Sequence, residues 1–200
     1  MSEPGDRPTV GLRERKKART RAAIQAHALR LFREHGYDAT TVQQIIDGAE
    51  VSESTFFRYF PTKGDVVLSD DFDPLIVDAF LSQPPELPPI QALRAAFRTV
   101  FDRLSDQEVS EQRDRMQLIL SVPELRATML DQLASAMSLL AGVLAERTGH
   151  HSDDTAVRTL AGAVVGAVVA VTFAMVDDPT ANFAALLDEA MAHLEAGLQL

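Results

Sequence analysis

Apolar residues recur along the first third of the chain with the spacing of amphipathic helices. The first helix is expected to begin near Arg13. Its apolar face consists of Ile24, Ala28, Leu31 and Phe32. Gly36 follows as a residue that can end a helix with a positive φ. A second short apolar stripe consists of Val42, Ile45, Ile46 and Ala49. The pattern predicts two helices joined by a short loop.

Polar residues that cap helices mark further helix starts in the same region. Thr41 and Gln44 have the spacing of a capping box, in which each side chain accepts from the backbone N–H of the other residue. Ser52 is placed to cap a third helix and Thr62 a fourth. Two short helices separated by residues 50–52 have the dimensions of a helix-turn-helix.

The third predicted helix, residues 53–60, has one apolar side and one polar side. Four of the twelve Phe and Tyr residues of the chain fall within it. At about 100° per residue, Phe56 and Phe60 project together toward the first two stripes, and Phe57 lies on the flank. The other side carries hydroxyl, guanidinium and phenol groups, which belong to Ser54, Thr55, Arg58 and Tyr59. Such groups bond phosphates and base edges in a major groove.

The remainder of the chain has helical spacing with short breaks and no strand-like alternation. Helices are predicted over residues 65–81, 90–105, 108–121, 123–149, 153–176 and 181–200. The segment QPPELPP is expected to join the first two of these helices as a loop. The uncharged stretch 160–176 is short and lacks Lys, Arg or aromatic anchors, which favours a buried helix over a membrane span. The fold class is therefore all-α, a three-helix helix-turn-helix domain followed by a helical bundle.

Charge is distributed unevenly along the chain. Residues 1–64 carry eleven Lys and Arg against eight Asp and Glu, a net charge of +3. Residues 65–200 carry eight against twenty-one, a net charge of −13. Six of the basic residues lie within residues 13–21. A basic head on an acidic body is expected if only the head meets phosphates. A solvated helix face explains the basic run alone equally well.

The run LFREHGYDATTVQQIIDGAEVSESTFFRYFPTKGDVV resembles the DNA-binding domain of TetR-type bacterial repressors. The matching positions are Gly36, Thr41, Ile45, Ala49, Val51, Ser52, Phe60 and Lys63. The resemblance implies a small DNA-binding domain, a larger helical ligand-binding domain, and a homodimer that leaves DNA when a small molecule binds. We therefore expect a disordered leader over residues 1–12, the DNA-binding domain over residues 13–64, and the ligand-binding and dimerisation domain over residues 65–200.

Three positions depart from the family pattern. Glu50 stands where the turn usually has Gly, and a residue with a Cβ is strained if the backbone there needs a positive φ. Phe57 replaces the usual Tyr, so a phosphate-bonding hydroxyl is missing, and Tyr59 is a candidate to supply one. Gly64 replaces an acid at the start of the fourth helix and lowers its helix propensity.

The expected DNA contacts come from three places in the head. The third helix is expected to face the major groove, the helix starts are expected to hold phosphates, and the basic run is expected to add binding without sequence preference. The residues concerned are Arg15, Lys16, Arg19, Thr41, Ser52, Ser54, Thr55, Arg58, Tyr59 and Lys63.

Bulky apolar residues on the later helices are candidates to line an apolar cavity for the effector, although each alone is better explained as core. They are Phe97, Phe101, Met116, Met137, Phe173 and Met175. Arg113 is a candidate to meet an anionic group of a ligand, but a surface ion pair with Asp106 explains it better. The stretch RDRMQLILSVPELRATML is similar to a TetR subgroup with acyl-CoA-like ligands, which includes the mycofactocin-associated regulators.

Small residues at four-residue spacing form a ridge on the helix predicted over residues 153–176. They are Gly162, Gly166, Ala170 and Ala174. In the family, the last two helices of each subunit form the four-helix bundle of the dimer. The predicted interface therefore adds apolar residues of the final helix, namely Phe183, Leu187, Met191 and Leu194. Packing within one chain also explains the ridge.

An enzyme is not expected, because the chain has no GxSxG, P-loop or GxGxxG motif. His150 and His151, with Asp153 and Asp154, fit a loop and a helix start better than a metal site. We expect no metal, no cofactor and no membrane. The partners expected are an operator in double-stranded DNA, a small-molecule effector and a second copy of the chain. The lack of Cys and of a signal-peptide pattern indicates a cytoplasmic protein. The alternative is a helical adaptor that does not bind DNA.

Overall fold

The computed structural model describes residues 12–69, 72–178 and 180–198, and these residues form ten α-helices. The helices are α1 Leu12–His35, α2 Val42–Gly48, α3 Glu53–Tyr59, α4 Lys63–Leu68, α5 Phe72–Leu81, α6 Pro89–Phe101, α7 Asp106–Ser121, α8 Pro123–Thr148, α9 Thr155–Asp177 and α10 Phe183–Glu195. The all-α prediction is confirmed. Of the predicted leader, residues 1–11 lie outside the described residues, and Leu12 is the first residue of α1.

The chain divides into two compact units after Ser69. The first unit contains α1 to α4, and its core consists of the apolar stripes read from the sequence together with the third helix. Its most deeply buried side chains are those of Ile24, Ala28, Ile45, Phe56, Phe60, Val66 and Val67. Gly36 ends α1 with a φ of 86°, which a residue without a Cβ adopts without strain.

One predicted helix is two helices in the structure. The prediction of a single helix over residues 65–81 is wrong, because α4 ends at Leu68 and α5 begins at Phe72. Pro74 explains the break, since proline inside a helix removes a hydrogen bond and clashes with the carbonyl four residues before it. In the structure Pro74 lies in the first turn of α5, where proline is tolerated. Gln25 donates to the carbonyls of Val66 and Ser69 (2.9 and 2.7 Å), which satisfies the end of α4.

The second unit is a helical bundle in which α6 lies between α5 and α10, and α9 lies between α8 and α10. Its core is continuous across these helices and includes Phe80, Leu93, Phe97, Leu144, Val164, Leu187 and Met191. The predicted loop after α5 joins it to α6. The Arg147 guanidinium, at the end of α8, holds this loop by donating to the carbonyls of Phe80, Gln83, Pro84 and Leu87.

Two helices of the second unit, α8 and α9, are long and apolar enough to cross a membrane by length and composition alone. Only 17% and 22% of their most apolar windows are buried within the chain. Core helices of soluble proteins pass the same test when they are covered, so the feature to explain is the uncovered apolar surface.

Candidate functional site

Helix α2 begins with the predicted capping box. The Thr41 hydroxyl accepts from the backbone N–H of Gln44 (3.2 Å), and the Gln44 side chain accepts from the backbone N–H of Thr41 (2.8 Å). This reciprocal pair leaves the remaining N–H groups of the first turn of α2 at the surface, where an anion can accept from them.

The turn between α2 and α3 is built around Glu50. This residue has a φ of 52°, the left-handed conformation that the position was expected to need. The backbone N–H of Val51 donates to the Ile46 carbonyl (3.2 Å) and that of Glu50 to the Asp47 carbonyl (3.3 Å). These two bonds are those of a Schellman motif, in which Gly usually occupies the left-handed position. The turn therefore keeps its geometry without the glycine.

Helix α3 is anchored by aromatic rings on one side and exposes polar groups on the other. Phe56 and Phe60 are fully buried, as predicted. Ser54 and Arg58 are exposed, and Thr55 and Tyr59 are half-buried beside them. The Arg58 guanidinium lies 5.2 Å from the centre of the Tyr59 ring. A cation held over an aromatic ring has fewer orientations to lose when it binds a partner.

Three hydroxyl groups meet at the start of α3. The Ser52 hydroxyl accepts from the Thr55 backbone N–H (3.2 Å) and lies 2.8 Å from the Thr55 hydroxyl and 3.1 Å from that of Ser54. Ser52 therefore serves first as the helix cap, as predicted. Its role toward DNA remains a prediction, as do those of Ser54 and Thr55.

Lys63 makes contacts that its sequence position did not indicate. Its ammonium donates to the carbonyls of Tyr37 and Thr40 (2.9 and 3.1 Å) and lies 4.1 Å from the centre of the Tyr37 ring. These contacts tie the start of α4 to the loop before α2. An ammonium has three N–H donors, so this arrangement leaves one for a phosphate. Phosphate binding by Lys63 remains a prediction.

The basic run lies on the first turns of α1. Arg15, Lys16 and Arg19 are exposed side chains on this helix. Their position is compatible with a phosphate-binding face and with a solvated helix face, so both explanations remain open.

Helices α1 and α2 approach closely at Gly48, which the sequence patterns did not single out. A Cβ on Gly48 would lie 2.1 Å from Nε2 of His27 on α1. Arg30 of α1 lies 2.6 Å from the same His27 nitrogen. Only Gly fits at position 48 while His27 keeps this place.

The six predicted effector residues that are apolar do not come together. Phe97 and Phe101 are core residues, and Phe101 packs edge-on against Phe183 with 5.0 Å between ring centres. They lie beside a small depression of about 200 Å³, part of it open to solvent, between α6 and α10. Met137 and Phe173 are surface residues, with Phe173 44% exposed. The expectation of one cavity lined by all of these residues is therefore wrong, since some are packed in the core and others face outward; Met175 is core and Met116 is half-buried.

Arg113 faces a different acid from the one expected. The pKa of Asp178, which follows α9, is lowered by hydrogen bonds from the Thr180 hydroxyl and backbone and by the nearby charge of Arg113. The expected ion pair with Asp106 is therefore replaced by attraction to Asp178. Nε of Arg113 is buried and makes no hydrogen bond within the described residues.

The predicted dimer residues fall into two groups. Gly166, Ala170 and Ala174 are exposed on α9, and Gly162 lies beside Met137 of α8. Phe183 and Leu194 of α10 are half-buried. Leu187 and Met191 are 1% and 0% exposed, because α10 turns them into the core of its own chain. The prediction that these last two side chains meet a partner is wrong.

Comparison with known families agrees with this arrangement. A family profile described as "Bacterial regulatory proteins, tetR family" matches residues 24–69, and one described as "MftR C-terminal domain" matches residues 87–199. The chain belongs to the TetR family. The resemblance read from the sequence is confirmed, and the first profile covers the helix-turn-helix with α4.

Relatives of this TetR-family chain are transcriptional regulators rather than enzymes. The HTH-type transcriptional regulator TcmR of Streptomyces glaucescens is 36% identical over 151 residues, which are 72% of this chain and 67% of TcmR. MftR of Mycobacterium tuberculosis, named as a regulator of mycofactocin biosynthesis, is 27% identical over 189 residues, 92% of this chain and 93% of MftR. The chain is thus similar to both of these regulators over most of its length.

Solved structures show the same fold. The fatty acid degradation regulator FadR of Bacillus halodurans has a TM-score of 0.60 at 24% identity and covers 90% of this chain and 96% of its own. FadR of Thermus thermophilus, solved with lauroyl-CoA, has a TM-score of 0.56 at 23% identity, with 90% and 95% covered. An N-terminal helix-turn-helix followed by a helical bundle is therefore the fold of this chain.

Proposed function

We propose that this TetR-family regulator is a repressor that binds a pseudo-palindromic operator as a homodimer and is released by a small apolar or amphipathic effector. The observation that carries the proposal is the exposed polar face of α3, which is fixed from behind by Phe56 and Phe60. Hydroxyl, guanidinium and phenol groups on a short, rigid helix are suited to base edges in a major groove. The protein is proposed to act in the cytoplasm.

The proposed contacts to phosphates come from the elements around α3. Thr41 begins α2 with exposed N–H groups, and Lys63 retains one ammonium donor for a phosphate oxygen. Arg15, Lys16 and Arg19 would add charge that is independent of base sequence. Neutralising all three should lower the slope of log affinity against log salt by about three times 0.9, if each meets one phosphate. An unchanged slope would assign the run to solvent.

The proposed dimer surface is the uncovered face of α9. Gly166, Ala170 and Ala174 are exposed on it, and a Cβ on Gly166 would meet nothing within 4 Å in the same chain. At about 100° per residue Phe173 falls between Gly166 and Ala170 around the helix, so we reassign it from the effector site to this surface. A second copy packed there would cover apolar surface that the chain itself leaves open.

The proposed effector is an apolar or amphipathic molecule that binds the second unit. Structural neighbours solved with lauroyl-CoA and with triclosan support this class of ligand. Arg113 offers a guanidinium whose Nε has no hydrogen bond within the described residues, and Met116 of the same helix is half-buried. An effector that binds more tightly to a dimer with a different spacing of its α3 helices would shift the population away from the DNA-binding state.

The direct test is selection of genomic fragments by the purified protein, followed by affinity measurements on the operator recovered. Arg58→Ala should lower the affinity or relax one base preference, a cost of about 1–3 kcal/mol. Arg158→Ala is the matched control, because it removes the same charge from an exposed position in the second unit. If no fragment is enriched and the protein is nevertheless dimeric, the helical adaptor is the better explanation. Enrichment that is unaffected by Arg58→Ala would move the reading surface away from α3.

A further inference from the structure

Phe57 is an exposed aromatic residue on an otherwise polar surface. It lies on α3 between Ser54 and Arg58, and 44% of its surface is exposed. Its ring packs edge-on against the buried ring of Phe56, with 5.2 Å between centres and an interplanar angle of 89°. Core packing therefore sets the orientation of the ring but does not cover it.

The chemistry of the ring limits what it can contact on DNA. Phe57 has no hydroxyl, so it can neither donate to a phosphate nor bond a base edge. In the major groove the apolar group is the C5-methyl of thymine, and Phe is one of the side chains that contact it. The adjacent polar groups of Ser54 and Arg58 are suited to the neighbouring base edges.

We propose that Phe57 is a specificity-determining residue that selects thymine in each half-site by packing against its C5-methyl group. The inference rests on the proposed function, because it requires that α3 enters the major groove. It adds an apolar contact to the polar contacts of α3. The orientation of the ring against Phe56 gives the contact a defined place along the helix.

The test replaces each thymine of the selected operator, symmetrically in both half-sites, by uracil, which lacks only the methyl group. Affinity is measured at low salt, where phosphate contacts hold every variant on the DNA. For the wild-type protein, one position is expected to lose about fourfold for each half-site, the equivalent of one buried methyl group. Phe57→Ala is expected to bind the thymine and uracil operators equally. Phe57→Leu, which keeps an apolar side chain, is expected to retain part of the preference.

The outcomes separate the role of Phe57 from the function of the protein. An operator that is bound regardless of every thymine methyl would overturn the inference. A methyl effect of full size in Phe57→Ala would also overturn it, because another residue would then read the methyl. A protein that enriches no operator would instead contradict the proposed function, before any uracil is introduced.

Discussion

Replacing Glu50 by Gly is expected to stabilise the helix-turn-helix unit. Glu50 holds the left-handed position of the Schellman turn with a φ of 52°. A residue with a Cβ loses about 1–2 kcal/mol in this conformation. Gly avoids that loss but gives back about 0.5–1 kcal/mol, because its unfolded chain is freer. The net gain in the free energy of unfolding is therefore about 0.5–1 kcal/mol.

Glu50→Ala is the matched control for the charge of the side chain. It removes the same carboxylate but keeps the Cβ, and Glu50 is exposed, so packing is unaffected. The free energy of unfolding of this variant should stay within about 0.5 kcal/mol of the wild-type value. Both variants remove one negative charge beside the proposed DNA surface, so any common gain in DNA affinity reports charge rather than turn geometry.

Tyrosine fluorescence gives a readout confined to this unit. The chain has two Tyr and no Trp, and both tyrosines, Tyr37 and Tyr59, lie in the first unit. Urea unfolding followed by this signal should show a higher midpoint for Glu50→Gly than for Glu50→Ala. Equal midpoints for the two variants would show that the left-handed turn stores no strain at this position.

Three further predictions concern packing and charge. Gly166→Leu should shift the protein from dimer toward monomer in sedimentation while its helix content stays unchanged, whereas Gly142→Leu on α8, also exposed with open space, should remain dimeric. Asp188 accepts two hydrogen bonds from Arg94, which lower its pKa, so the stability they contribute is present above the ordinary Asp pKa and lost as the pH falls through the folded value. Asp188→Asn should flatten this acid limb in thermal unfolding followed by circular dichroism, and an unchanged limb would refute it. Gly48→Ala should destabilise the first unit by about 1–3 kcal/mol through its clash with His27; adding His27→Ala should restore most of the loss, and failure of that rescue would contradict the clash.

Local features of the head could be predicted because they depend on residues close in sequence. The Thr41–Gln44 capping box, the burial of Phe56 and Phe60 and the left-handed turn at Glu50 all follow from spacings of one to four residues. Each is set by backbone geometry that the neighbouring residues determine. The break between α4 and α5 was missed because helical spacing was given more weight than Pro74.

Features that depend on distant residues could not be read from spacing. Arg94 pairs with Asp188, 94 positions away, and α10 packs on α6 so that Leu187 and Met191 enter the core. Apolar spacing shows that α10 has a buried face but not whether its own chain or a partner covers that face. Phe173 was assigned to a cavity for the same reason, since its exposure depends on which neighbours α9 has.

The central claim is that two α3 helices of one dimer enter successive major grooves about 34–36 Å apart. The most direct measurement is the affinity for an operator with five extra base pairs, about half a turn of DNA, inserted between the half-sites. The account predicts that affinity falls to the level of a single half-site and that a full-turn insertion places both half-sites on one face again. An affinity unchanged by the half-turn insertion would contradict it, because the two heads would then bind independently of their spacing.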